Sequence, residues 1–357
     1  MAEPRRKQSP GELVAHLLYG AWRQLPPTLK ATTENLEAVT PQLLGSGSSG
    51  LVSRRISQTD LQTSPAAFEL KQAYRLQSLY AGLHEAEIEQ VITRLHAAGI
   101  EPVLLKGRAI ADLYPEHGLR PYGDVDLCFS KQHYELALSA LKSPEFKDSN
   151  VDAHEELDEI YGLSFDELLM SSQMKTVGKV AVRTPCAEHH LRILCIHFLK
   201  HGAWRPLSLC DVAVAVEARR ADFDWDRCLG KDNLIVDWVS CAIGLAHRLL
   251  GARIEDTPVA PRALQLPRWL VPAVLRQWEN PYPQENEATE LMITHLRKRS
   301  GVMRAIGKRW PNPILATVYF RAPFNSLPRF PFQLSNYISQ AARFLATLPK
   351  AVTNQQR

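Results

Sequence analysis

The chain has 357 residues, 45% hydrophobic and 22% charged, the makeup of a soluble protein with one large or two moderate domains. No run of about 18 uncharged apolar residues offers a membrane helix, and the start MAEPRRKQSP lacks the apolar centre of a secretory leader, so a cytoplasmic location is the expectation. The six cysteines, at 128, 186, 195, 210, 228 and 241, contain no CxxC pair; several lie on apolar faces where cysteine acts as a small hydrophobe, which argues against disulfides and a structural zinc site. The net charge of +4 is unevenly spread: residues 297–357 hold 11 Lys or Arg and no Asp or Glu, leaving 31 basic against 38 acidic residues elsewhere. A basic tail thus follows an acidic body.

In chain order, residues 11–44 read as two amphipathic helices broken near Pro26 and Pro27, followed by a small, flexible stretch, GSGSSG, at 45–50. That stretch lacks the GK[ST] ending of a phosphate-binding P-loop and reads as a loop rather than a nucleotide cradle. Residues 66–99 have the pattern of long helices, the second being EAEIEQVITRLHAAG, which closes on Gly99. A short strand, PVLLK, runs into Gly107; RAIADLY has helical spacing and stops before Pro115; DVDLCF then reads as a strand. Residues 131–142 predict a helix, 146–153 a strand carrying Asp152, and KVAVRTP at 179–185 alternates as a strand does. From there to about residue 280 the pattern is helical: HHLRILCIHFLKHG, then LCDVAVAVEARR, then the apolar segment from Leu234 to Leu250. The expected class is α+β, a small mixed sheet with helices before and after it.

Asp124 and Asp126 stand two apart in an apolar strand, so their carboxylates share one face and repel unless something positive lies between them. With a third carboxylate from a neighbouring strand, for which Asp152 is the candidate, they make an oxygen-rich site suited to Mg²⁺; the alternative is a simply solvated Asp-x-Asp. A strand ending in Gly107 lets the backbone approach a triphosphate, with the following helix aiming its N–H groups at the anion. Lys106, Arg108 and Arg120 either add positive charge there or are exposed or paired with carboxylates. His197 and His201 have the i, i+4 spacing of HExxH zinc helices, but HFLKH lacks the glutamate. They read either as a helix face lining the nucleotide or acceptor pocket or as a pair packed on Trp204 and bonded to Asp211.

The stretch VLLKGRAIADLYPEHGLRPYGDVDLCF resembles the signature of the uncharacterised nucleotidyltransferase family, a branch of the DNA polymerase beta-like superfamily. In it Lys-Gly, Tyr-Pro, Arg-Pro and Gly-Asp-hydrophobic-Asp recur in this order. VDAHEEL resembles the family's acidic-residue-plus-histidine strand. HHLRILCIHFLKHGAWRPLSLCDVAVAV resembles its helical block, with His197, His201, Trp204 and Asp211 on recurring positions, and FPFQLSNYISQAARFL resembles its ending. The sequence departs from the pattern at Arg108, where many superfamily members carry a phosphate-binding serine after the glycine, and at Glu155, where tryptophan often follows the histidine.

The resemblance implies a minimal nucleotidyltransferase mixed sheet. It implies Mg²⁺, or Mn²⁺ in its place, held by Asp124, Asp126 and Asp152, with Lys106, Gly107, Arg108, Arg120, His197 and His201 as nucleotide-binding candidates. The activity implied is transfer of a nucleoside monophosphate from a nucleoside triphosphate, by two-metal chemistry, to an acceptor that is a peptide, protein, tRNA, saccharide or small molecule. The competing expectation is a protein of the same fold that binds a nucleotide or partner without turnover; no lyase or template-binding module supports a DNA polymerase. The chain divides on this reading into an N-terminal helical region (1–84), the nucleotidyltransferase core (85–186), a helical domain (187–296) and a basic, aromatic-rich segment (297–357). That last segment is expected to track a polyanionic acceptor, lie on an anionic membrane or pack back on the body. Its five prolines between 311 and 331 argue against one continuous amphipathic helix.

Overall fold

The computed structural model describes residues 8–142, 149–157, 160–281, 310–340 and 342. Helix α1 (Pro10–Leu18) starts at a capping box, in which the Ser9 hydroxyl accepts from the Glu12 N–H and the Glu12 carboxylate accepts from the Ser9 N–H. The chain then crosses the Pro26–Pro27 break into two short helices, α2 (Thr33–Glu37) and α3 (Thr40–Gly45), and turns directly into α4 (Ser49–Ile56).

That turn is the GSGSSG stretch, and it is not a flexible loop: residues 46–50 are all buried. Its small residues are there for close packing. A Cβ on Gly50 would stand 2.8 Å from the Tyr74 ring, and one on Gly47 would stand 3.2 Å from Pro121. The Ser46 and Ser48 hydroxyls bond each other. Composition alone does not separate a flexible Gly-Ser linker from a tightly packed turn.

Helix α5 (Pro65–Ala97) is one continuous helix of 33 residues where the sequence predicts more than one. It ties two apolar cores together. Its first turns bury Ala66, Ala67 and Leu70 against the N-terminal helices, and its last turns bury Ile88, Val91, Ile92 and Leu95 beneath the sheet.

The chain then forms β1 (Val103–Leu104), the single turn α6 (Arg108–Ala111), β2 (Val125–Phe129), α7 (Tyr134–Leu141) and β3 (Val151–Glu155). After α8 (Phe165–Met170) comes a hairpin of β4 (Gln173–Val177) and β5 (Val180–Thr184). Strand β4 is not predicted from the sequence; its partner is, and the Gly178-Lys179 turn between them, with Gly178 at φ +57, is the signal available for it. The five strands make one mixed sheet in the order β3-β2-β1-β5-β4, with β2–β3 and β1–β5 parallel and β1–β2 and β4–β5 antiparallel.

Alternation along β2 sends Val125, Leu127 and Phe129 to the core shared with α5 and α7, and Cys128, with Asp126, to the opposite face. That face is closed by the helical region: α9 (Ala187–Lys200), α10 (Pro206–Glu217), α11 (Trp225–Leu229), α12 (Asn233–Leu250), α13 (Ala260–Ala263) and α14 (Leu270–Trp278). Helix α12 is long and apolar enough to cross a membrane. Thirteen of its residues are nevertheless buried, including Trp238 and Asp237, so it is the central helix of this bundle.

The described part of the basic tail, α15 (Pro313–Tyr319) and α16 (330–340), docks on the same bundle. The indole of Trp238 donates to the Ala322 carbonyl at 2.9 Å, the Phe324 N–H donates to Asp237 at 2.7 Å, and Asn312 donates to the Gly202 carbonyl at 2.7 Å. Phe324 is buried, and Trp310 stacks on Phe330 and Tyr337. All six cysteines are free, five of them buried. Truncation after residue 296 should therefore uncover the Trp238 and Asp237 face of α12, raise binding of a hydrophobic dye and cause aggregation; a soluble, monomeric truncation with an unchanged melting temperature would show that this docking contributes nothing to the fold.

Candidate active site

Parallel pairing of β2 and β3 sets Asp126 directly opposite Asp152, and the two-residue period of β3 puts His154 on the same face as Asp152. The His154 Nε2 lies 3.3 Å from Asp126 Oδ1 and 3.3 Å from Asp152 Oδ2. Among the described residues this is the one group of three His, Cys, Asp or Glu side chains close enough to hold a metal ion, its ligand atoms lying within 4.8 Å of one another. Asp126 is 3% exposed at the floor of the site; the Asp152 side chain is 54% exposed at its rim.

The positive group expected beside the Asp pair is present. Lys106, at the end of β1, places its Nζ 2.7 Å from Asp126 Oδ1 and 3.3 Å from His197 Nδ1. Burial pushes the Asp126 carboxyl up, but its hydrogen bonding with His154 and the Lys106 ammonium outweigh burial and hold it below its ordinary value. Burial, then the Lys106 charge, drive His197 well below the usual imidazole range. His197 is therefore neutral near pH 7, and its unprotonated Nδ1 accepts from Lys106. Asp124 does not join this cluster. It is exposed and sits one residue before the strand begins, so solvent relieves its repulsion with Asp126.

The remaining sequence-predicted residues lie around the segment 106–124, and most are already partnered. Gly107 adopts φ +55, a conformation L side chains avoid, and an added Cβ would lie 3.3 Å from the Tyr122 Cβ. Arg108 is held between Glu85, at 2.7 Å, and Asp112. Arg120 forks onto Asp211, with Nη2 to Oδ2 at 2.8 Å and Nε to both oxygens at 3.2 Å, while the Tyr114 hydroxyl donates to Oδ1 at 2.7 Å. Asp211 thus serves Arg120 and Tyr114, and the expected bond between Asp211 and the histidines is not made. The rings of His197 and His201 do pack on each other, with centroids 4.3 Å apart.

Two further residues, His154 and Arg205, are not among the candidate site residues named from the sequence, although the first lies in the VDAHEEL stretch that resembles the family's strand. His154 carries a recognisable signal, since Asp152-x-His154 repeats on β3 the same two-residue spacing as Asp124-x-Asp126 on the neighbouring segment. Arg205, which follows α9 and bonds back to the Ser46 carbonyl at 2.9 Å, carries none; its neighbourhood comes from chain segments far apart in sequence.

A small mixed sheet bearing carboxylates on adjacent strands, open toward basic and imidazole groups from a helical region, is the framework of a nucleotidyltransferase. The chain belongs to the uncharacterised nucleotidyltransferase family, which it matches over residues 45–161 and again over 142–251, more than half of its length. No curated protein and no solved structure matches it.

The Lys106 contact has a measurable consequence. Because Asp126 titrates below its unfolded value of about 4, its contribution to stability is full above that pH and is lost as pH falls through the lower folded value. Lys106→Met should raise the Asp126 titration midpoint, followed by carbon NMR of labelled aspartate, and move the acid loss of stability to higher pH. An unchanged midpoint would show that His154 alone keeps the carboxylate ionised.

Proposed function

We propose that the protein transfers a nucleoside monophosphate from a nucleoside triphosphate to an acceptor nucleophile, with Mg²⁺ or Mn²⁺ bound by Asp126 and Asp152 and completed by Asp124. The observation that carries this reading is the register of β2 and β3, which sets two carboxylates from different strands side by side with a cation, Lys106, already on one of them. The donor set fits a divalent ion: the ammonium at Asp126 marks a place built for positive charge, and the two carboxylates supply the oxygens Mg²⁺ prefers. His154, a nitrogen donor, is not a ligand that Mg²⁺ favours and serves on this reading to hold the two carboxylates together. A pair of such ions, when bound, lowers the charge that opposes attack on the α-phosphate and steadies the pyrophosphate.

The chain's own residues supply the rest. Were a divalent ion held at Asp126, Lys106 would give up that contact and could turn to the phosphates, with Gly107 keeping the approach clear of side chains. Asp152, exposed at the rim, is placed to accept the proton of an acceptor hydroxyl as that oxygen bonds to the α-phosphorus and the bond to pyrophosphate breaks. Neutral His197, its ring tilted against that of His201, lines the helical side of the cleft without adding charge. Arg120 acts on this reading by fixing the segment that leads to Asp124, and Arg108 by anchoring α6.

The test combines incubation with labelled nucleoside triphosphates and Mg²⁺ with mass spectrometry of candidate acceptors, for the wild type and three variants. Asp124→Asn, Asp126→Asn and Asp152→Asn should each cut transfer at least about 100-fold, corresponding to about 2.7 kcal/mol of transition-state stabilisation, and each should weaken Mn²⁺ binding followed by electron paramagnetic resonance. Asp126→Asn should also lower the melting temperature, since it leaves Lys106 half-paired in a buried site, whereas the exposed Asp124 and Asp152 variants should not. Transfer undiminished in all three would refute the assignment. Mg²⁺-dependent nucleotide affinity without pyrophosphate release by the wild type would favour a binding protein of the same fold.

A further inference from the structure

We infer that Arg205, bracketed by the buried turn at 45–50, is the residue that takes the anionic polyphosphate end of the nucleotide. The inference rests on the nucleotidyltransferase reading above and adds a binding residue from outside the sheet.

The cations around the cleft are otherwise accounted for. Lys106 is on Asp126, Arg108 lies between Glu85 and Asp112, and Arg120 is forked onto Asp211. Arg205 is different. Its one hydrogen bond among the described residues runs from Nε to the Ser46 carbonyl, so both terminal nitrogens lack a protein acceptor, and no described carboxylate lies within ion-pair distance. Arg205 is half-buried, so its terminal nitrogens have solvent rather than a carboxylate for a partner, and it also lies in the field of Arg120. Burial first, and Arg120 second, bring its pKa down to about 10, with Asp211 and Asp124 pulling the other way. An arginine in this condition is suited to bind an anion.

Its orientation is set by the turn. Gly47, at φ +75, passes so close that an added Cβ would be 3.0 Å from Arg205 Nη2 and 3.2 Å from Pro121. Ser46 holds Nε on one edge of the guanidinium, and the other edge, the fork suited to two phosphate oxygens, is left for a ligand. Pro121 begins the Pro121–Asp124 stretch that enters β2, and the Arg205 charge also reaches His197. On this placement the open fork is assigned to the cleft that contains Lys106 and Asp126. The turn that composition presents as a linker is on this reading part of the binding site, and the N-terminal helices contribute to it.

The test is calorimetric titration of the full chain with inorganic tripolyphosphate, without metal, so that it does not depend on turnover. The wild type should bind, and Arg205→Gln should lose at least 10-fold in affinity. Arg205→Lys, which keeps charge but not the fork, should lose affinity as well, as should Gly47→Ala, which keeps the arginine but crowds its Nη2. Without ligand, Arg205→Gln should melt no lower than the wild type, because it removes an unpaired cation beside Arg120, while the rise in melting temperature produced by tripolyphosphate should vanish. A purely structural Arg205 would instead lower the ligand-free melting temperature and leave affinity intact. Tripolyphosphate affinity equal in the wild type and Arg205→Gln, or absent from the wild type, would overturn the inference. If no triphosphate is turned over yet tripolyphosphate binding still needs Arg205, the anion site stands and the transferase reading falls; if transfer is established with Arg205→Gln unaffected in affinity, this inference alone falls.

Discussion

The buried ion pair of Arg120 and Asp211 is the contact on which the arrangement of the cleft depends. Arg120 belongs to the irregular segment between α6 and β2, Asp211 to the middle of α10, and their side chains are 8% and 1% exposed. Burial lowers the pKa of the arginine, and the Asp211 carboxylate more than reverses that. The Tyr114 hydroxyl fills the remaining acceptor capacity of Asp211. A buried pair of this kind contributes little net stability against an apolar replacement, but removing one partner costs about 3–5 kcal/mol, because the other charge is left without compensation. Its value is positional. It fastens a segment with little regular structure to the helical bundle, and that segment delivers Asp124 and the start of β2.

Around that anchor the charges are arranged in a graded way. Arg120 and Arg108 are fully matched by carboxylates and act as structure. Lys106 is matched by Asp126, a carboxylate that on the proposed reading also holds the divalent ion. Arg205 has no carboxylate partner among the described residues. The region therefore holds positive charge that is paired with carboxylates at Arg108, Arg120 and Lys106 and unpaired, among the described residues, at Arg205. The histidines fit this gradient: His197 gives up its charge to burial and to Lys106, which keeps an already positive site from becoming more so.

Long helix α5 and the docked C-terminal helices supply the rigidity. One end of α5 is packed in the N-terminal core and the other beneath the sheet, so the turn at 45–50 and the strands β2 and β3 are held in one frame. The tail segment 310–340 closes the far side of the bundle through Trp238, Asp237 and Gly202, whose carbonyl Asn312 binds just beyond α9. Contacts of this sort position α9 and Arg205 relative to the sheet, although none of them touches the site.

What could be read from the sequence was what repeats locally. The two-residue period of DVDLCF and KVAVRTP, the helical spacing of α9, α10 and α12, and the glycine at 107 all express constraints that act within a few residues, and the family signature between Val103 and Phe129 pointed to the chemistry. The α+β class and the mixed sheet followed from these. What the sequence did not contain was the partner of each charge. That Arg120 is matched by Asp211, Lys106 by Asp126, and Arg205 by no described carboxylate depends on residues separated by 20 to 159 positions, and pairing at that distance is set by how whole elements pack. The same holds for GSGSSG, whose composition is equally that of a solvated linker and of a turn pressed against Pro121 and Tyr74. Only the tertiary structure, which determines what stands opposite those missing side chains, decided between them.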